Sequence, residues 1–125
     1  MSTLRVNTIQ PVAGTPNITS SEIATLSRVM LGNSSQTWTN VGSSRVIGTT
    51  YTNSTGAPIF VAMTPNASAN MYGYAVINGS QVMYQQFTPS GGGGCAAWGF
   101  VVPNGSTYAI TNLSNVSIAL WWELR

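Results

Sequence analysis

The stretch MYGYAVINGSQVMYQQF, residues 71–87, decides the fold class of this chain. Tyr72, Tyr74 and Val76 alternate along its first half, and Asn78-Gly79 separates that half from the second. Asn-Gly favours a two-residue hairpin turn, because both positions require a positive φ that these two residues accept. The pattern therefore predicts two antiparallel strands, over residues 71–77 and 81–87.

Further strand-like segments lie on both sides of this hairpin, with turn residues between them. Val and Ile together number 19 against 6 Leu, which is a β-rich composition. Seven short strands in sequence predict an all-β domain over residues 45–125, an antiparallel β-sandwich or jelly roll. The other five predicted strands are RVIGTTYTN (45–53), APIFVAMT (57–64), AWGFVV (97–102), STYAITN (106–112) and NVSIALWWEL (115–124).

Residues 1–44 have a different pattern and are predicted to form an N-terminal attachment or stem segment. A short helix is predicted over 20–31, where Ser20 or Ser21 can cap the first turn and Glu22 favours it. The alternative is a second extended segment. The start of the chain lacks an apolar signal-peptide core, so export by that route is not expected.

The composition excludes several classes of function. The chain has 4 Arg and 2 Glu but no Lys, Asp or His, whereas 41 of its 125 residues are Ser, Thr or Asn. The usual general bases are therefore missing, and neither a metal site nor a cofactor is expected. Four scattered Arg make no nucleic-acid footprint, and no apolar run is long enough for membrane insertion.

Three features that might carry chemistry have simpler explanations. Glu22 and Glu123 belong to separate predicted segments, whereas a glycosidase needs two neighbouring carboxylates. The run Gly91–Gly94 lacks the Lys of a phosphate-binding loop and reads as a surface loop. Cys95 has no cationic neighbour in sequence to activate its thiol. We expect a protein without catalytic residues.

Three aromatic residues are candidates for an oligomer interface: Trp38, Phe60 and Trp121. Trp38 stands alone in a polar connector, where it could cover the β domain, contact a partner chain or stack on a sugar. Phe60 and Trp121 fall out of phase with the predicted core and so point outward. The alternative for Trp121 is a β-bulge that turns both Trp121 and Trp122 inward. The aromatic residues predicted to be mostly core are Tyr51, Tyr72, Tyr74, Tyr84, Trp98, Phe100, Tyr108 and Trp122.

Several motifs in this order resemble virion proteins of tailed bacteriophages. The segment TWTNVGSSRVIGTTYTNSTGAPIFVAMT is similar to a Trp…Ser-Arg…Tyr-Thr-Asn…Thr-Gly…Pro-Ile pattern of that family. GFVVPNGSTYAI resembles its Val-Pro-x-Gly-x-x-Tyr turn, ALWWELR its Trp-x-Glu-Leu tail, and TLRVNTIQPVAGT the openings of tail-fibre proteins. The matching positions are Trp38, Ser44, Arg45, Tyr51, Thr52, Asn53, Thr55, Gly56, Pro58, Ile59, Val102, Pro103, Gly105 and Tyr108.

The resemblance implies a small all-β knob of a phage fibre, usually a homotrimer, located on a virion assembled in the bacterial cytoplasm. Residues 1–30 would contact other virion proteins, and a host surface glycan or protein would be the receptor. A head fibre or capsid decoration protein is the structural alternative, and a free bacterial lectin is a third. Loops at 64–70, 78–80 and 88–96 are expected to face the receptor. Their candidate residues are Asn66, Asn70, Asn78 and Ser90.

The few charges also occupy defined places. Arg45 opens the first predicted strand, while Glu123 and Arg125 end the last one. We expect at least one of them to serve the structure, as an ion pair or an anchor, rather than to bind a ligand.

Overall fold

The computed structural model describes residues 8–9, 18–28, 30–67, 70–88, 97–111 and 116–125. These residues form one α-helix, one turn of 3₁₀ helix at Gly42–Ser44 and ten β-strands. The elements, in chain order, are β1 (Thr8–Ile9), β2 (Ile18–Thr19), α1 (Ser20–Arg28), β3 (Trp38–Asn40), β4 (Tyr51–Thr52), β5 (Ile59–Ala67), β6 (Met71–Ile77), β7 (Ser80–Phe87), β8 (Trp98–Val102), β9 (Thr107–Thr111) and β10 (Val116–Leu124).

Eight of the strands form two antiparallel four-stranded sheets, which confirms the prediction of an all-β, sandwich-like domain. One sheet has the order β3-β10-β5-β8 and the other the order β4-β9-β6-β7, while β1 and β2 pair with each other. The pairing is nested outward from the central hairpin: β6 with β7, β5 with β8, β4 with β9 and β3 with β10. Seven strands were predicted for the sandwich, and the additional one is β3, which lies in the polar segment around Trp38 that was predicted to be a connector.

The core lies between the two sheets and is filled from alternate positions of their strands. Ile59, Val61 and Met63 of β5 are at most 1% exposed, as their predicted inward face requires. Trp98, Phe100 and Val102 of β8 are also buried, which confirms the predicted inward face of that strand. Tyr108, Ala75 and Trp121 contribute from β9, β6 and β10 to the same apolar cluster.

The central hairpin forms as predicted, but its tyrosines point the other way. Asn78 and Gly79 have φ of 49° and 80°, the left-handed values of a two-residue hairpin turn. Met71, Gly73 and Ala75 face the core, whereas the Tyr side of β6 faces outward. The core already holds two Trp side chains, and small residues on β6 leave room for them. The prediction of a core position was therefore wrong for Tyr72, Tyr74 and Tyr84.

The first predicted strand is mostly irregular, because only Tyr51–Thr52 pairs in a sheet. Residues 45–50 form a turn in which Gly48 adopts a φ of +83°. The Val46 N–H donates a hydrogen bond to the hydroxyl of Tyr51 at 2.8 Å, and this closes the turn. Local side-chain bonding thus replaces the strand that the β-branched residues of this segment predicted.

A β-bulge in β10 reverses the orientation of the two tryptophans at its end. The register with β5 shifts between Ile118 and Leu120, so that Trp121 is fully buried while Trp122 lies on the outer face. The outward prediction for Trp121 was wrong, and so was the core prediction for Trp122. Pro65 pairs with Ile118 directly beside the bulge, where a missing N–H is tolerated. The loop predicted at 64–70 is therefore strand as far as Ala67.

The predicted helix is present as α1, Ser20–Arg28, and it ends three residues before the predicted end at 31. The helical prediction is thus confirmed over its extended alternative. Within the residues described, no helix is long and apolar enough to cross a membrane.

Candidate functional site

A buried ionic cluster joins the two sheets at the carboxylate of Glu123. This residue is fully buried in β10, opposite Val61 and Thr39 in the pairing. Its Oε1 accepts hydrogen bonds from Arg45 Nε at 2.9 Å and from the Tyr108 hydroxyl at 2.6 Å. Its Oε2 accepts from Arg45 Nη2 at 3.0 Å and from Arg125 Nη1 at 3.1 Å. Both carboxylate oxygens are thus fully engaged.

The geometry of Arg45 makes this cluster a stabilising contact. Two parallel bonds join its guanidinium to the carboxylate, and the guanidinium also lies 4.4 Å from the centre of the Tyr51 ring. Burial acts to lower the pKa of Arg45, but hydrogen bonding and attraction from Glu123 outweigh it and raise the pKa above its ordinary value. A buried bidentate pair of this kind fixes the two sheets against each other. The prediction that at least one of Arg45, Glu123 and Arg125 forms a structural ion pair is confirmed.

Tyr108 completes the cluster from the opposite sheet. Its side chain is 2% exposed, and its ring lies 5.9 Å from that of Tyr51. Burial is the first cause that raises the pKa of its hydroxyl, and the neighbouring carboxylate of Glu123 raises it further. Tyr108 therefore stays a neutral hydrogen-bond donor throughout the physiological range. The cluster has no free base or acid to offer a substrate.

A second buried polar centre lies at Asn53, two residues after Tyr51. Its side-chain Nδ2 donates to the carbonyls of Ala57 at 2.8 Å and Val102 at 3.0 Å. Its Oδ1 accepts from the N–H and the hydroxyl of Thr55, at 3.1 and 2.8 Å. One amide side chain thus joins the turn after β4 to the end of β8. Its full set of partners offsets the cost of burying it.

The outer face of the β3-β10-β5-β8 sheet is apolar, and we call it the apolar face. The register aligns Trp38, Leu124, Phe60 and Val101 in one row across all four strands. Trp38 is 52% and Val101 43% exposed. Leu120 is also exposed on this side of the sheet, and Trp122 is partly exposed beside Asn40 and Ala62. Apolar side chains thus predominate on this face, with the polar Asn40 beside Trp122.

Two of the three predicted interface aromatics lie together on this apolar face. The rings of Trp38 and Phe60 meet edge to face, with centres 6.1 Å apart. The Phe60 ring packs over Gly99, where an added Cβ would approach it to 3.0 Å. The third, Trp121, is in the core and cannot contact a partner. Sequence phase missed the contributions of Leu120, Trp122 and Leu124, because the bulge was not located.

The predicted receptor-facing residues are separated by the structure. Asn66 and Asn70 are exposed near the ends of β5 and β6. Asn78 is engaged in the framework, because its side chain accepts from the Thr107 N–H at 2.9 Å and donates to the Ser106 hydroxyl at 3.1 Å. Ser90 lies outside the described residues, as does Cys95. Asn70 and Asn78 lie at opposite ends of β6, so the three described positions do not form one site.

A polar cleft of about 490 Å³ opens beside the end of β10. Its charged lining group is Arg125, which Glu123 already engages. In the part of the chain that the structure describes, no group of three or more His, Cys, Asp or Glu could hold a metal ion. The described surface therefore offers shape, rings and neutral polar groups rather than charge.

No protein-family model matches the chain, and searches of curated proteins and of solved structures find no significant match.

Proposed function

We propose that this chain is a structural protein of a tailed-bacteriophage virion, a fibre or tail-tip knob that forms a homotrimer and contacts the host surface. The observation that carries the proposal is the apolar face, on which Trp38 is 52%, Leu120 51% and Val101 43% exposed. A protein with so few charges would not remain dispersed with this surface uncovered. Self-assembly is the simplest way to bury it.

The residues that resemble the phage proteins support this proposal through their contacts. Arg45 and Tyr108 both bind Glu123, which lies in the tail motif. Asn53 links the Tyr-Thr-Asn motif to Val102 of the Val-Pro-x-Gly motif. Gly56 of the Thr-Gly turn donates to the side chain of Asn104 at 2.9 Å. Motifs far apart in sequence thus form one framework in this domain.

The strand order also supports a viral or lectin-like role. The eight strands pair in a nested order: β3 with β10, β4 with β9, β5 with β8 and β6 with β7. Nested pairing of this kind is expected of a jelly roll. Jelly rolls are common in viral structural proteins and in lectins. Both classes work by presenting a rigid surface, which agrees with a framework held by buried polar clusters.

A closed ring of copies suits the apolar face. A cyclic trimer joins different surfaces of neighbouring copies, and rotation by one third of a turn closes the ring without leaving an open end. A row of apolar side chains across four strands, running from Trp38 to Val101, can line such an axis. The N-terminal segment, with α1 and a half-exposed Ile23, is then available to attach the knob to other virion proteins through residues 1–30.

Immunogold labelling of virions with antibodies to the full chain tests the proposal, together with competition of phage adsorption by the purified protein. We expect label at fibre or tail tips and a concentration-dependent fall in adsorption. Label on the head with adsorption unchanged would instead identify a decoration protein. A Trp38→Ser variant that stays monomeric is the matched control, and it should compete much less well because multivalent contact is lost.

A further inference from the structure

The outer face of the other sheet has a different chemistry from the apolar face. Tyr72 and Tyr74 of β6 point outward there, beside Tyr84 and Gln86 of β7. The register places Tyr74 opposite Tyr84 and Tyr72 opposite Gln86, so the four side chains form one patch. We call this patch the tyrosine face. It adjoins the free edge of the sheet, because β7 is the last strand in the order.

Two rings of the tyrosine face, Tyr74 and Tyr84, are held in place before any ligand arrives. Tyr74 and Tyr84 lie with their ring centres 5.3 Å apart and their planes tilted by 41°. The Tyr84 hydroxyl donates to Gln86 Oε1 at 2.9 Å. Tyr72 is nevertheless 50% and Tyr84 52% exposed. A ligand that stacks on these rings would therefore pay little ordering entropy in the protein.

The tyrosine face is also free of charge. The sequence contains no charged residue between Arg45 and Glu123, so neither β6 nor β7 carries one. A phosphate, a nucleic acid or an acidic peptide would find no counterion on these strands. Ring faces, phenol hydroxyls and amides complement a neutral molecule that itself presents C–H faces and hydroxyl groups.

We infer that the tyrosine face binds a neutral polysaccharide of the host cell surface, with sugar rings stacked on Tyr72 and Tyr84 and hydroxyl groups bonded to Gln86. This inference rests on the proposed host-attachment role and moves recognition from the loops to the sheet. The apolar face also carries the rings of Trp38 and Trp122, but their neighbours Phe60, Val101 and Leu124 supply no polar side-chain group. The two outer faces then have separate roles: the apolar face joins copies of the chain, and the tyrosine face binds the host polysaccharide.

The test titrates the full-length protein with three neutral hexasaccharides, maltohexaose, cellohexaose and N-acetylglucosamine hexaose, and follows binding by saturation-transfer NMR. Ring stacking tolerates different sugars, so we expect at least one to bind with a Kd of about 1 mM or lower. A double variant, Tyr72→Ser with Tyr84→Ser, should weaken that binding by about tenfold or more, since two stacking rings are lost. Tyr84→Phe keeps the ring and should weaken binding much less.

Val46→Ser, a change at an exposed position of the turn over residues 45–50 and in neither outer face, is the matched control and should leave sugar affinity unchanged. The oligomeric state of each protein is measured alongside, which separates the two proposals. A trimer that binds none of the three sugars, or binds them equally well without Tyr72 and Tyr84, would overturn this inference and leave the assembly proposal standing. A monomer that binds sugar through these tyrosines would do the reverse. If the double Tyr variant dissociates a trimer, the tyrosine face is a subunit contact and the inference is wrong.

Discussion

Replacing Arg45 by Met should destabilise the protein far more than replacing Arg125. Arg45→Met keeps most of the side-chain volume but removes two of the four bonds to a fully buried carboxylate. Breaking a buried pair from one side costs about 3–5 kcal/mol. Because the contact with Arg125 remains, we expect a loss of about 3 kcal/mol, at the lower end of this range. The side chain of Arg45 is 14% exposed against 37% for Arg125. Arg125→Met should therefore cost less than about 1 kcal/mol.

Urea unfolding at fixed protein concentration, followed by tryptophan fluorescence, measures both free energies of unfolding. Fixed concentration matters because assembly adds to the apparent stability. In a thermal scan the Arg45→Met protein should melt roughly 10 °C below the wild type, at about 4 °C for each kcal/mol in a domain of this size.

The double variant Arg45→Met with Glu123→Leu decides whether the loss comes from the stranded charge. Replacing both partners by apolar side chains removes the buried carboxylate, so we expect at least half of the lost stability to return. A stabilising role of the Arg45–Glu123 pair is refuted if Arg45→Met costs no more free energy of unfolding than Arg125→Met. It is refuted equally if the double variant loses the sum of what Arg45→Met and Glu123→Leu lose singly, because the two residues would then have no coupling.

Three further changes test other parts of the framework. Tyr108→Phe should flatten the loss of stability at alkaline pH. The raised pKa of Tyr108 in the folded state stabilises the fold below the unfolded value of about 10, and this contribution is lost as pH rises further. In urea unfolding from about pH 8 to about pH 11, the free energy of unfolding should therefore decline more steeply for the wild type than for the variant. Trp121→Ala should cost about 3–5 kcal/mol, since the ring is fully buried, and equal losses at low and high protein concentration would confirm its place in the core rather than at an interface. Asn53→Ala removes the donor to the Val102 carbonyl, one of two donors to the Ala57 carbonyl and the acceptor for the Thr55 N–H, and should cost about 3 kcal/mol in urea unfolding. Exposed Asn104→Ala should cost less than about 1 kcal/mol, and equal costs would contradict the role of Asn53.

Much of the fold follows from local sequence signals. Asn78-Gly79 sets the central hairpin, and the alternation of Ile59, Val61 and Met63 correctly predicts which side of β5 is buried. These predictions succeed because the turn geometry and the period of two are properties of a few neighbouring residues. The composition likewise predicts an all-β domain before any strand is paired.

The candidate surfaces depend on longer-range features that the sequence does not display. One extra residue in β10, between Ile118 and Leu120, changes which side of the sheet Trp121 and Trp122 face. The tyrosines of β6 point outward because the core is already occupied, and that depends on Trp98 and Trp121 from other strands. Arg45, at the start of the turn over residues 45–50, pairs with a carboxylate 78 positions away. Each of these is decided by tertiary packing, so strand phase alone placed these residues wrongly.

Self-association through the apolar face is tested by the mass of the protein in solution. Native mass spectrometry and analytical ultracentrifugation at micromolar concentration should give about three times the 13.2 kDa of one chain. The double variant Trp38→Ser with Val101→Ser should shift this mass to that of a single folded chain, since both changes are at exposed positions of the apolar face. A wild-type protein that stays monomeric at these concentrations, or a trimer that the double variant leaves intact, would contradict the account.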